Sequence, residues 1–140
     1  MRAVEIHETP AGDPPAQFFV TVGYGSLGAP DDEVVLATIE GHIVGAVRLA
    51  REDAVLVLRG VQVDEHWRGR GLGRRLLDMV ARHLEDETSW VIAYQHLERF
   101  YANAGWVRVD DPPPLLATRV ARFREHGDDV FVAARRLGVT

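Results

Sequence analysis

The chain has no cysteine among its 140 residues. That excludes a disulfide framework and any acyl transfer through a cysteinyl intermediate, and it fits a reducing compartment. No apolar run approaches the ~20 residues that a bilayer-crossing helix needs, so no membrane partner is expected. The first ten residues, MRAVEIHETP, lack the apolar centre of a secretory signal, and cytoplasmic residence is the expectation. Positive charge is in short supply as well. With 16 Lys and Arg against 21 Asp and Glu the net charge is -5, which argues against a nucleic-acid footprint built on phosphate contacts. No internal repeat and no low-complexity segment breaks the chain.

What is present suits one domain. The length is the modal size for a single domain, and 46% hydrophobic residues can build a sizeable core. The run RGRGLG at 68–73 stands out. Upstream, 54–63 (AVLVLRGVQV) is aliphatic and β-branched, as a buried strand is. Downstream, Leu72, Leu76, Leu77, Val80, Ala81 and Leu84 recur at helical spacing, while Arg74, Arg75, Asp78 and Arg82 fall on the other side. The glycines therefore sit at a helix start. There the first amides lack intrahelical partners and the dipole is positive, so an anion can satisfy both. Arginines at 68, 70, 74 and 75 add charge-assisted donors.

Two familiar phosphate loops do not fit. A dinucleotide fingerprint wants GxGxxG directly after its strand, whereas Gly69, Gly71 and Gly73 alternate and residues 64–68 intervene. A P-loop wants GK followed by Ser or Thr, and Arg74 follows Gly73. A plain glycine turn with solvated arginines is the bland alternative.

The rest of the chain reads as alternating elements. Residues 1–6 form a candidate strand, 9–15 (TPAGDPP) a loop, and 16–24 a candidate short helix whose Phe18, Phe19 and Tyr24 would cover an acceptor site. Residues 33–40 and 42–49 read as a hairpin with Gly41 at its turn, and 51–53 turn the chain into the next strand. Residues 89–94 (SWVIAY) are a strand, and 96–104 (HLERFYANA) a short helix stopped by Gly105. A strand at 106–109, a helix from Leu115 to a Gly127 stop and a strand at 129–135 complete the chain.

VQVDEHWRGRGLGRRLL resembles motif A of the GNAT superfamily of N-acetyltransferases, whose pattern of Gln or Arg, any two, Gly, any, Gly or Ala is met by Arg68, Gly71 and Gly73. FYANAGW resembles the family's motif B, a helix with an aromatic pair followed by glycine and a further aromatic. The resemblance spans roughly 34–110. It implies a mixed α+β fold: a central, mostly antiparallel sheet with helices on both faces, in which 54–63 and 89–94 run parallel through a right-handed crossover and splay apart. It implies acetyl-coenzyme A as cosubstrate, no metal, a small-molecule or peptide amine as acceptor, and a homodimer as a common state. Val61 and Val63 would serve the pantetheine arm. Arg68, Gly69, Arg70, Gly71, Leu72, Gly73 and Arg74 would serve the pyrophosphate. Tyr101 would return a proton to the departing thiolate.

Chemistry sets a further demand. An alkylammonium is neutral in only about one molecule in 2,500 at pH 7, a cost of roughly 4.6 kcal/mol, so the acceptor must lose a proton on binding. Many relatives place a glutamate on the strand before the motif, but 54–63 offers only Arg59 and Gln62. His96 is the candidate base, with a capping role as its alternative. Asp64 and Glu65 read as loop or capping residues. Arg59 and Tyr94 are candidate acceptor-pocket residues, with a solvated charge and sheet packing as their alternatives. The remaining readings are a non-catalytic acyl-coenzyme A sensor and a transferase of longer acyl groups.

Overall fold

A computed structural model describes residues 4–8, 18–24, 32–69 and 71–137, the first two segments by their backbone course. Eight strands form one sheet: β1 (Val4–Glu8), β2 (Phe18–Tyr24), β3 (Glu33–Ile39), β4 (His42–Glu52), β5 (Val55–Val63), β6 (Ser89–Tyr94), β7 (Val107–Arg108) and β8 (Val130–Arg135). Their order is β1-β2-β3-β4-β5-β6-β8-β7, and every pair is antiparallel except β5 with β6. Among the described residues three α-helices accompany them: α1 (Leu72–His83), α2 (Glu98–Ala102) and α3 (Pro114–Glu125). No helix among the described residues is long and apolar enough to cross a membrane.

Side-chain alternation distributes the core over both faces of the sheet. Leu56 and Leu58 of β5, Val91 and Ala93 of β6, and Phe131 and Ala133 of β8 pack with Leu76, Leu77 and Val80 of α1. The intervening Val57, Val130 and Val132 pack with Leu116 and Val120 of α3, with Trp90 and Ile92 alongside. Helices therefore lie on both faces, as the resemblance implies. Burying each of these Leu or Val side chains is worth about 1.5–3 kcal/mol, so the two stripes supply most of the attachment.

The splay between β5 and β6 has a local cause. Their parallel pairing is confined to Val57↔Trp90 and Leu58↔Val91. Immediately beyond, the β4–β5 register slips: Val47 faces Val61 and Leu49 faces Leu58, so Arg59 and Gly60 together oppose the single residue Arg48. This is a β-bulge, and Gly60 carries its positive φ of 111° without a Cβ clash. The extra residue bends β5 and shifts its phase. Val61 and Val63, rather than Gly60 and Gln62, continue the α1-facing stripe begun by Leu56 and Leu58.

Several boundaries differ from expectation. Residues 18–24 are a strand rather than a helix, because FFVTVGY is aromatic and β-branched and its backbone pairs with both β1 and β3. Residues 16 and 17, and the side chains of Phe18, Phe19 and Tyr24, lie outside what is described. The expected turn at 51–53 moves to Asp53 and Ala54, since Arg51↔Leu56 and Glu52↔Val55 extend the ladder. The first strand is Val4–Glu8, with residues 1–3 outside the described set. The helix expected from residue 96 opens as a 3-10 turn, Gln95–Leu97, before α2.

Candidate functional site

The glycine run lies where the sequence analysis expects it, between β5 and α1. After Val63, Asp64 caps a short 3-10 turn, Glu65–Trp67, by accepting the His66 amide at 2.9 Å, so Asp64 is a capping residue. Gly71 then occupies the N-cap of α1 at φ 76°, and no side chain caps the helix. The first intrahelical bond runs from the Arg75 amide to the Gly71 carbonyl at 3.1 Å. Ahead of it, the amides of the opening turn have no helical acceptor and carry the positive end of the dipole.

These amides face a groove of about 1220 Å³ on the α1 side of the sheet. Val61, Val63, Arg68, Gly69, Gly71, Leu72, Gly73 and Arg74 line it together with His96 and Tyr101. His96 and Tyr101, which follow the glycine run only after α1 and β6, thus share one cleft with it. Arg70 lies outside the described residues. Beyond Leu58, β5 has no β6 partner, so the groove runs along an unpaired strand edge. A backbone edge, uncapped amides and glycines without Cβ atoms suit a ligand combining an amide-bearing arm with a phosphate.

Arg68 and Arg74 are engaged with the protein. Arg68 Nε donates to the Val63 carbonyl at 3.2 Å. Arg74 Nε contacts both oxygens of Asp78, at 3.2 and 3.3 Å, and its Nη2 donates to the Asn103 carbonyl at 3.1 Å. Arg74 therefore links the start of α1 to the end of α2, and a phosphate there would compete with the exposed Asp78 pair.

Tyr101 is 4% exposed yet lines the groove. Burial pushes its hydroxyl pKa up from the ordinary value near 10, so it remains a proton donor at neutral pH. No hydrogen bond ties that hydroxyl to another described residue. Its backbone carbonyl accepts the Trp106 amide at 3.0 Å after the turn at Gly105, and its ring meets Phe100 edge-on at 5.2 Å. His96 is exposed and stacks on Tyr94 with ring centroids 6.0 Å apart.

The two candidate acceptor residues do not join this groove. Tyr94, 45% exposed, supports His96 and borders neither described cavity. Arg59 projects to the α3 face, where it borders a separate cavity of about 170 Å³ and pairs with Glu52. Sequence reading missed Glu52 and Arg119 there, and Trp67, Leu97 and Phe100 in the main groove. A signal for Arg119 exists: it falls beside Val120 in the stripe Leu116, Val120, Phe123, where an apolar residue is the usual occupant.

A family model described as an acetyltransferase (GNAT) domain matches residues 20–114. No curated protein matches the chain. Among solved structures, the chain resembles a GNAT family acetyltransferase from Elizabethkingia anophelis with acetyl-CoA bound, at 16% identity and TM-score 0.60 over 96% of this chain and 98% of that one. It also resembles Escherichia coli ElaA at 23% identity and TM-score 0.55, over 76% of this chain and 69% of that one. N-acetylglutamate synthase from Neisseria gonorrhoeae, complexed with coenzyme A and N-acetyl-glutamate, matches at 19% identity and TM-score 0.58, over 76% of this chain and 26% of that one. At these identities the shared property is the fold.

Proposed function

This chain belongs to the GNAT acetyltransferase family, and from that premise we propose that it is an N-acetyltransferase that moves an acetyl group from acetyl-coenzyme A directly to an amine. The observation that carries this reading is the uncapped N-terminus of α1 at Gly71, opening onto a groove that runs along the unpaired end of β5. Structures of similar fold that hold acetyl-CoA or coenzyme A support the same cosubstrate.

In this reading the backbone of Val61 and Val63 binds the pantetheine arm. Arg68, Gly69, Arg70, Gly71, Leu72, Gly73 and Arg74 hold the pyrophosphate, through amides first and guanidiniums second. When bound, acetyl-coenzyme A supplies an acetyl group activated as a thioester. His96, directly or through water, removes the ammonium proton so that the acceptor nitrogen can attack the acetyl carbon. The carbon–nitrogen bond forms and the carbon–sulfur bond breaks. Tyr101 delivers its proton to the departing sulfur, a role that its buried, neutral hydroxyl suits, and the second proton that the nitrogen sheds on becoming an amide restores the tyrosine. With no cysteine in the chain, direct transfer needs no covalent enzyme intermediate.

Calorimetric titration with acetyl-coenzyme A, followed by thiol release with a panel of amines, tests the proposal. Micromolar binding with amine-dependent thiol release is expected. Binding without release for any amine would favour an acyl-coenzyme A sensor, and no binding would refute the reading.

A further inference from the structure

The α3 face of the sheet carries a second feature at the place where β5 and β6 part. Glu52, at the end of β4, bridges two arginines: one carboxylate oxygen accepts Arg59 Nη2, and the other accepts Arg119 Nη2 at 2.6 Å. Two guanidiniums thus share one carboxylate, and the cluster keeps a formal charge of about +1. The second terminal nitrogen of Arg119, Nη1, is buried with no hydrogen-bond partner among the described residues. Buried polar groups are paired in the great majority of cases, so an orphaned guanidinium nitrogen marks a place for an acceptor that arrives from outside.

Arg59 and Arg119 border the cavity of about 170 Å³ together with Gly60, Ile92 and Phe123. That space equals about five to six waters, enough for a small anionic group. Arg59 and Ile92 are the first positions past the last β5–β6 pair, Leu58↔Val91, and Gly60 follows directly. The cavity therefore lies where the gap between the strands opens, on the α3 side, while the groove holding Tyr101 and His96 lies further along β5, at Val61 and Val63, on the α1 side.

We propose that this cavity is a carboxylate subsite for the acyl acceptor, so that the substrate is a molecule bearing both an amine and a carboxylate, as an amino acid or short peptide does. The proposal rests on the acetyltransferase reading for the location of the reacting amine. A monoanion matches the single spare charge beside Glu52, whereas a dianion would leave the cluster negative. A carboxylate is also the acceptor that Arg119 already takes, since its Nη2 donates to Glu52 at 2.6 Å while Nη1 is left over.

Two measurements separate this inference from the reading beneath it. Nitrogen-edited NMR of the arginine side chains, with propionate as probe, is expected to shift Arg59 and Arg119 in the full chain. Propionamide is expected to leave them in place. Absence of a propionate shift, or a larger response to inorganic phosphate, overturns the carboxylate assignment whether or not acetyl-coenzyme A binds. In thiol-release assays, amino acids are expected to exceed their amides in kcat/KM by at least tenfold. Arg119→Gln is expected to cut that ratio tenfold, with Arg119→Lys intermediate, while calorimetric binding of acetyl-coenzyme A verifies that each variant folds. Equal kcat/KM for acid and amide overturns the proposal. Where no acceptor in the panel turns over, the propionate titration decides, and failure of acetyl-coenzyme A binding refutes only the acetyltransferase reading.

Discussion

The indole Nε1–H of Trp106 donates to the hydroxyl of Ser89 at 3.0 Å, and both residues are 0% exposed. Ser89 opens β6 and Trp106 follows α2, so this bond fastens the segment that carries Tyr101 to the central sheet. Ser89→Ala leaves a buried indole donor unpaired, which costs about 1–3 kcal/mol. Urea denaturation should report a loss of that size with an unchanged m-value. Wild-type stability in the variant would show that the bond is dispensable.

Tyr101→Phe tests proton delivery to the leaving sulfur. Turnover should fall about a hundredfold, within the range of general-acid contributions, while the Kd for acetyl-coenzyme A changes less than twofold. Burial raises the pKa of this hydroxyl in the folded chain. The folded state therefore holds the proton more tightly than the unfolded state, so the associated stability is complete below about pH 10 and is lost as pH climbs through the raised value. Thermal melts of wild type and Tyr101→Phe should accordingly diverge in their pH dependence only above that point. Unchanged turnover would remove Tyr101 from the chemistry.

Gly71→Glu and Gly71→Ala separate charge from strain in the cradle. Gly71 sits at φ 76°, and a Cβ built there would meet nothing within 4 Å. Both variants share a backbone cost of about 1–2 kcal/mol, but only Glu adds bulk and a negative charge at the helix N-terminus. Calorimetry should find acetyl-coenzyme A binding weakened in Gly71→Ala and abolished in Gly71→Glu. Equal affinities in the two variants would move the pyrophosphate elsewhere.

Glu52 links strand and helix in a pH-dependent way. Burial raises its pKa, but hydrogen bonds from Arg119 and Arg59 and their charges outweigh that and lower it overall. A depressed folded value means stabilisation that is present above the ordinary carboxylate pKa and lost as pH falls through the folded one. Glu52→Gln should be less stable than wild type at pH 7. The difference should begin to close below about pH 4 and vanish once pH is below the depressed folded value, and a gap that persists in stronger acid would assign the effect to packing rather than to ionisation.

Legibility in the sequence followed the range of the interactions. The helix at 72–83 and the strand at 55–63 could be read because hydrophobic periodicity is a local property, and the Gly71 start because helix termini have their own residue chemistry. Residues 18–24 are ambiguous in the sequence because a seven-residue aromatic and β-branched run suits either state until its neighbours β1 and β3 pair with it. The expected assignment of Arg59 to the same pocket as Tyr94 met a different limit. The bulge at Arg59 and Gly60 sets which face each side chain takes, and it is visible only against the register of β4.

By itself the sequence determined the family, the glycine run between strand and helix, and the tyrosine-bearing segment that follows, since each is written in spacings of a few residues. Only the tertiary structure decided that β5 leaves β6 after Leu58, that His96 and Tyr101 share one groove with Gly71, and that Arg119 reaches Glu52 across 67 positions. Those relationships join distant segments through sheet register and two-sided packing, and no local pattern of residues encodes a distance between segments that meet only on folding.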